Sequence, residues 1–135
     1  MAHDVHVSIL GRDTMLNAIA ALFNSGILTF YSGTQPANAD TALSGNVSLC
    51  SLTYGATAYG AASAGSATAN AITAGVIGTS GTASFARIYE SNGTTTILDC
   101  SVDITGNTPD ITVPTTTFTS GVTVTMSANT ISLAA

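Results

Sequence analysis

The residues of this chain with side chains suited to chemistry are few: two histidines, His3 and His6, two cysteines, Cys50 and Cys100, and the carboxylates Asp99, Asp103 and Asp110. His3, Asp4 and His6 could bind a metal ion adventitiously. A working site wants three or four preorganised ligands, and an exposed N-terminal arm is the simpler reading. Asp99 with Asp103 or Asp110 could act as the two acids of a glycosidase. The chain has no Trp and only four Tyr, which leaves no sugar-stacking platform, so turn acids capping backbone N–H groups explain these positions better. No Ser or Cys has a histidine in a plausible core position to act as its base. The glycine-rich Gly78–Gly81 has neither a following helix nor a lysine and is no phosphate loop. Catalytic, cofactor and metal residues are therefore all expected to be none, and the chain is expected not to be an enzyme.

Two pairs of residues remain open. Cys50 and Cys100 lie in apolar alternating runs. They read either as reduced, buried thiols or as one cross-sheet disulfide of an exported protein. The N-terminus has no basic and apolar leader pattern, which favours the thiols. Sequons at Asn46 and Asn92 need nothing beyond turn chemistry. Arg87, between Phe85 and Tyr89, is the only cation of the β region. It would either lie along the aromatics at a sheet edge or form an ion pair with Asp99, Glu90 or a carboxylate of a neighbouring subunit.

Charge narrows the function classes. The 135 residues contain no lysine, two arginines (Arg12 and Arg87) and seven carboxylates, and nothing between Asp40 and Arg87 is charged. Without clustered cations the chain is not expected to bind nucleic acid or an anionic membrane. The segment 41–86 is too rich in Gly, Ser, Thr and Asn to enter hydrocarbon. A charge-poor surface does little to repel other copies or a partner, which suits a part that packs against something.

The elements that must position these residues are mostly strands. Residues 3–10 read as a short strand or an extended arm. A helix is predicted over 13–25, with Asp13 as its N-cap, Met15, Leu16, Ile19, Leu22 and Phe23 at helical spacing, and Gly26 at C′. Strands follow at 27–31, 46–54, 72–77, 111–113 and 115–119, with turns at 32–36, 78–81 and 103–107. Val47 and Leu49, with Cys50 or Leu52, should face inward. The small-residue stretch 55–70 fits a surface loop or close packing. Asn92-Gly93 signals a tight hairpin, which sets Ile88 opposite Ile97 and Arg87 opposite Leu98. In that register Phe85, Arg87 and Tyr89 share a face with Cys100. A bulged three-residue loop would instead set Arg87 opposite Ile97. In the last strand Val122, Val124, Met126 and Ala128 alternate with polar residues, so one face should be buried. The fold class is mainly β: an antiparallel β-sandwich or barrel of seven or eight strands with one N-terminal α-helix. Its organisation is an N-terminal arm, 1–12, and a single β-rich domain, 13–135.

Two phrases carry a resemblance, Tyr31-Ser-Gly-Thr-Gln-Pro36 after the helix and Arg87-Ile-Tyr-Glu-Ser-Asn-Gly-Thr94 in the hairpin. With them, from about Met15 to Leu133, the chain resembles small virion proteins of tailed bacteriophages, the head decoration (cement) proteins. The resemblance implies a structural protein that binds the outer capsid surface, reinforces the head lattice and has no active site. The partner would be the major capsid protein, with self-association as a homodimer or homotrimer, and the location the virion exterior after assembly in the host cytoplasm. The contact residues would be Val5, Val7 and Ile9, adding as a strand to a sheet edge, with Arg87 and Tyr89. Rival readings are a tail or fibre component, or a secreted adhesin using Tyr54 and Tyr59 against a sugar.

Overall fold

The helix begins earlier than the sequence pattern suggests. In the computed structural model, which describes residues 5–104, 106–107, 109–127 and 129–134, helix α1 spans Ile9–Leu22. Ser8 is its N-cap, with extended backbone and a side-chain oxygen that accepts from Gly11 N at 3.1 Å. A serine hydroxyl there satisfies one of the orphan donors of the first turn. Ile9 is thus the first helical residue and not part of a strand, and only residues 5–8 of the described chain precede α1 without regular structure. Asp13, freed from capping, accepts from Gly65 N at 2.7 Å. The left-handed residue after the helix is Ser25, at φ 55°, not Gly26. Gly26 is needed for close approach: a Cβ there would lie 2.7 Å from the Tyr89 carbonyl oxygen.

Beyond α1 the protein is mainly β. Strand β1 (Ile27–Ser32) lies inside a six-stranded sheet. Its neighbours are β2 (Val47–Tyr54) on one side and β7 (Phe85–Tyr89) on the other. Next to β7 comes β8 (Thr96–Ile104), then β9 (Ile111–Val113), which runs parallel to β8. Strand β4 (Ile72–Thr73) forms the opposite edge, beside β2. Three two-stranded ribbons complete the fold. They pair β3 (Ser66–Thr68) with β12 (Thr130–Ser132), β5 (Gly75–Val76) with β11 (Thr123–Val124), and β6 (Gly81–Thr82) with β10 (Thr117–Phe118). Among the described residues there are therefore twelve short strands, more than the seven or eight expected, and one parallel pair.

Register divides the sheet into two unlike faces, because side chains on one rung of a sheet point the same way. On the inner face Cys50, Phe30, Ala86 and Cys100 form one rung and Leu52, Leu28, Ile88 and Leu98 the next. Phe23 from the end of α1 packs edge-on against Tyr54 and Tyr59, with centroids 5.7 and 5.3 Å apart, and Phe118 packs on Phe30 at 5.3 Å. A β-bulge opposite Phe30 and Tyr31 makes Leu49 an extra residue in β2. Leu49 and Cys50 are consequently both buried, while Val47, expected inside, is exposed. This corrects the simple alternation expected for 46–54.

The small-residue stretch is partly core and partly exposed. Ala58, Tyr59, Ala67 and Ala69 are buried. Helix α1 and its exit fix their backbone: Asn24 Oδ1 accepts from Ala58 N, Asn17 Oδ1 from Ala62 N and Asp13 Oδ1 from Gly65 N, all within 2.7–2.9 Å. At Gly65 the approach is closest: its φ is 77°, and an added Cβ would lie 3.2 Å from Arg12 Nε of the helix and 3.1 Å from the Leu133 carbonyl oxygen. The long C-terminal strand is interrupted into β11 and β12, and Val122 is exposed. Ala128 lies outside the described residues.

Candidate interaction surface

Thr29 of β1 and Arg87 of β7 occupy the centre of the sheet's outer face, where one rung is wholly polar: Ser51, Thr29, Arg87 and Asp99. Thr29 and Ser51 share a hydroxyl hydrogen bond of 2.8 Å. Arg87 engages Asp99 through both forks, Nε to Oδ1 at 2.7 Å and Nη2 to Oδ2 at 2.8 Å, and Nη1 donates to the Thr41 carbonyl at 2.9 Å. Both side chains are about nineteen-twentieths buried, at 5% and 4% exposure. Arg87 is therefore neither at a sheet edge nor free to reach a neighbouring subunit. It clamps loop 37–45 down onto the sheet, and the hydrogen bonds it donates to Asp99 push its already high pKa further up.

The pairing follows from the hairpin, whose register differs from both expected versions. Glu90 N bonds to Thr95 O, so the loop spans residues 91–94, and Arg87 stands opposite Asp99 and Ile88 opposite Leu98. Cys100 faces Ala86 and belongs to the other side of the sheet from Phe85, Arg87 and Tyr89. A bulge between Ile88 and Tyr89 then brings Tyr89 opposite Thr96. The two tyrosines flanking the clamp, Tyr31 and Tyr89, join hydroxyls at 2.9 Å, and Tyr31 stacks on Phe85 at 5.4 Å. Burial and the Tyr89 hydrogen bond both push the Tyr31 phenol up. A hollow of about 460 Å³ opens between this network and loop 39–43. Because the Arg87 charge is already paired with Asp99, the hollow offers an anionic ligand no unpaired charge from this guanidinium.

The three suspected acids are also occupied. Asp103 accepts from Ile104 N and from the Asn107 amide, and Asp110 from both the backbone N and the hydroxyl of Ser101. Asp99 and Asp103 are four residues apart on β8, roughly 13 Å along an extended strand, beyond the spacing of a glycosidase pair. His3 and Asp4 lie outside the described residues. Among those described, no three His, Cys, Asp or Glu side chains form a group able to hold a metal, and no helix is long and apolar enough to cross a membrane. Tyr54 and Tyr59, the suggested sugar platform, are buried against Phe23.

Cys50 and Cys100 are free thiols. They share a rung but sit three strand spacings apart, roughly 14 Å, twice the reach of a disulfide. Burial raises the pKa of both, and Asp110 and Asp99 add to the effect at Cys100, pushed up to about 12. In the unfolded chain a thiol ionises near its ordinary pKa of about 8.5. The raised folded pKa means that the native state holds these protons more tightly. The stability they contribute is complete below about pH 8.5 and is lost at higher pH, for Cys100 as pH rises toward about 12. Urea midpoints measured from pH 7 to 11 should fall above pH 8.5. A C50A/C100A variant, compared with its own pH 7 value, should fall less. A thiol reagent at pH 8 should find two thiols in urea and react far more slowly with the folded protein.

Most of the large apolar side chains left exposed are N-terminal, and the others, Val47, Val76, Ile104, Val122 and Leu133, are scattered along the chain. Val5 is 82% exposed and Val7 40%, and the helix residues Ile9, Leu10, Met15, Ile19 and Leu22 are also exposed. Met15, Ile19 and Leu22 follow one another at i, i+4 and i+7, a stripe along α1 that flanks the buried face and is turned about 100° from it. The helical spacing was visible in the sequence; which half of it faces outward was not, since Leu16, Ala20 and Phe23 take the inner side. A second apolar feature is a cleft of about 850 Å³ between Phe30, Ile77, β9 and the chain around β11.

No family model, curated protein or solved structure matches the chain. Its interaction chemistry therefore rests on its own residues: a buried clamp at Arg87, two free thiols, and an apolar N-terminal face on a protein with few charges.

Proposed function

We propose that this chain is a structural virion protein that binds the outer capsid surface as a homodimer or homotrimer and reinforces the head lattice. The observation that carries the reading is the run of exposed apolar side chains from Val5 through Leu22, on a chain with only nine charged residues (two Arg and seven Asp or Glu). An apolar patch of this kind marks an association surface, and the scarcity of charge removes the usual barrier to lateral packing. The likeness of the Tyr31–Pro36 and Arg87–Thr94 phrases to cement proteins supplies the partner, the major capsid protein. The three ribbons would form the second layer of a sandwich over the six-stranded sheet. In this reading Val5, Val7 and Ile9 meet the partner directly, whereas Arg87 and Tyr89 act by holding loop 37–45 in shape.

Co-sedimentation with empty capsids of the same phage tests this. Saturable binding at micromolar protein is expected, lost on deletion of residues 2–7, which spares the Ser8 cap. It should also weaken in M15S/I19S/L22S. Failure of the intact protein to bind capsids overturns the reading in favour of a tail component or an adhesin. Unchanged binding by both variants overturns the assignment of the N-terminal face.

A further inference from the structure

Asn92-Gly93 is the one Asn-Gly pair in the chain, and its side-chain amide is open to attack by the backbone. The backbone nitrogen of a glycine, unhindered by a side chain, can attack the preceding asparagine's Cγ. A new N–C bond closes a succinimide, ammonia leaves, and water then opens the ring to aspartate or isoaspartate. The reaction needs the Gly93 nitrogen deprotonated and the Asn92 side chain swung over it.

The folded loop withholds both. Gly93 N donates to the Glu90 carbonyl at 2.9 Å. Asn92 Oδ1 accepts from Thr94 N at 2.9 Å and Thr95 N at 2.8 Å, and Asn92 Nδ2 donates to Thr95 Oγ1 at 2.7 Å. The Asn92 side-chain amide is thus held by three bonds to residues beyond Gly93, two at its carbonyl oxygen and one from its nitrogen, and the nucleophile by a fourth directed behind it. Gly93 itself takes φ 71°, a conformation that suits glycine and so keeps the vulnerable residue in the sequence.

We infer that Asn92 is a deamidation site gated by the fold, silent while the Ser91–Thr94 loop is closed and reactive when the β7–β8 hairpin opens. Isoaspartate would add a backbone methylene inside the loop that sets Arg87 opposite Asp99, so a modified hairpin would not reclose in the same register. The modification would therefore record past opening as a permanent mark. Such gating does not depend on the capsid reading.

Peptide mapping by mass spectrometry at pH 8.5 and 37 °C tests it on the full chain, folded and in urea at matched ionic strength. Conversion at Asn92 should be at least about tenfold slower in the folded protein, since only open molecules react. Thr95→Val, which removes the acceptor for Nδ2 at an exposed position, should speed folded-state conversion about two- to tenfold and leave the urea rate unchanged. Thr95→Ser should behave as wild type. Equal rates in folded and unfolded wild type overturn the gate. A folded T95V no faster than wild type overturns the role given to the side-chain bonds. If T95V does not fold, the comparison of wild type and T95S in the two states still decides the gate.

Discussion

Replacing Asp99 by alanine will lower the stability of this protein by about 3–5 kcal/mol, the cost of leaving a buried charge without its partner. For a chain of this length that corresponds to a fall in melting temperature of roughly 10–15 °C. Exposed ion pairs contribute at most about 1 kcal/mol, but Arg87 and Asp99 are 5% and 4% exposed and bonded through both forks. Solvent screening therefore gives little discount. In D99A the guanidinium would keep only the Thr41 carbonyl. Replacing both partners by apolar residues of similar size, as in R87M/D99L, should recover most of the loss, because the desolvation cost disappears with the charges. Hydrogen exchange should nonetheless rise across 37–45 in R87M/D99L, whose loop has lost its tie to the sheet. A D99A loss below about 1 kcal/mol would place the pair among exposed ones and contradict the burial argument.

The ion pair also shows where sequence reasoning reached and where it stopped. Helix α1, strands β1 and β2 and the β7–β8 hairpin are legible from periodicity and turn chemistry, because each is decided by residues close in sequence. Asp99 was one of three carboxylates that Arg87 could have met. Choosing among them required the register, and the register is set by the side chain of Asn92. By accepting from Thr94 N and Thr95 N it draws four residues into the loop where an Asn-Gly pair alone predicts two. The helix start was missed for a similar reason. Ser8 and Asp13 are both good caps, and Asp13 goes instead to Gly65, a residue distant in sequence. Bulges at Leu49 and after Ile88 shift phase without a signature in the sequence. The stretch 55–70 is silent because alanine and glycine have no periodicity to read, even where they are core.

Dependence on a distant strand also makes one glycine the second position of large effect. Gly75 lies buried in β5, and a methyl there would overlap the Ser51 carbonyl oxygen, 2.9 Å from the Ser51 carbonyl carbon and 3.0 Å from Cys50 Sγ. The nearest obstacle is backbone, not the end of a flexible side chain. Ser51 belongs to β2, paired with Thr29 at the middle of the sheet, so its carbonyl cannot retreat without disturbing the central ladder. The strain must go the other way and lift β5 off the sheet, and β11 with it, through the pairing of Gly75 with Val124. Gly75→Ala is accordingly expected to cost about 3 kcal/mol or more, at the upper end of overpacking. It should also expose the amides of 75–77 and 121–124 to hydrogen exchange while those of β1 and β7 stay protected. Gly45→Ala provides the contrast. Gly45 has φ 73°, and a Cβ added there would meet nothing within 4 Å, so only the left-handed backbone opposes the substitution, at about 1–2 kcal/mol. If urea midpoints rank G45A as the more damaging change, or if exchange in G75A rises evenly over the sheet, then close packing of β5 on β2 is not what requires glycine at 75. The expected order, with damage confined to the β5–β11 ribbon, would show that position 75 is glycine because another strand's backbone occupies the space of a side chain.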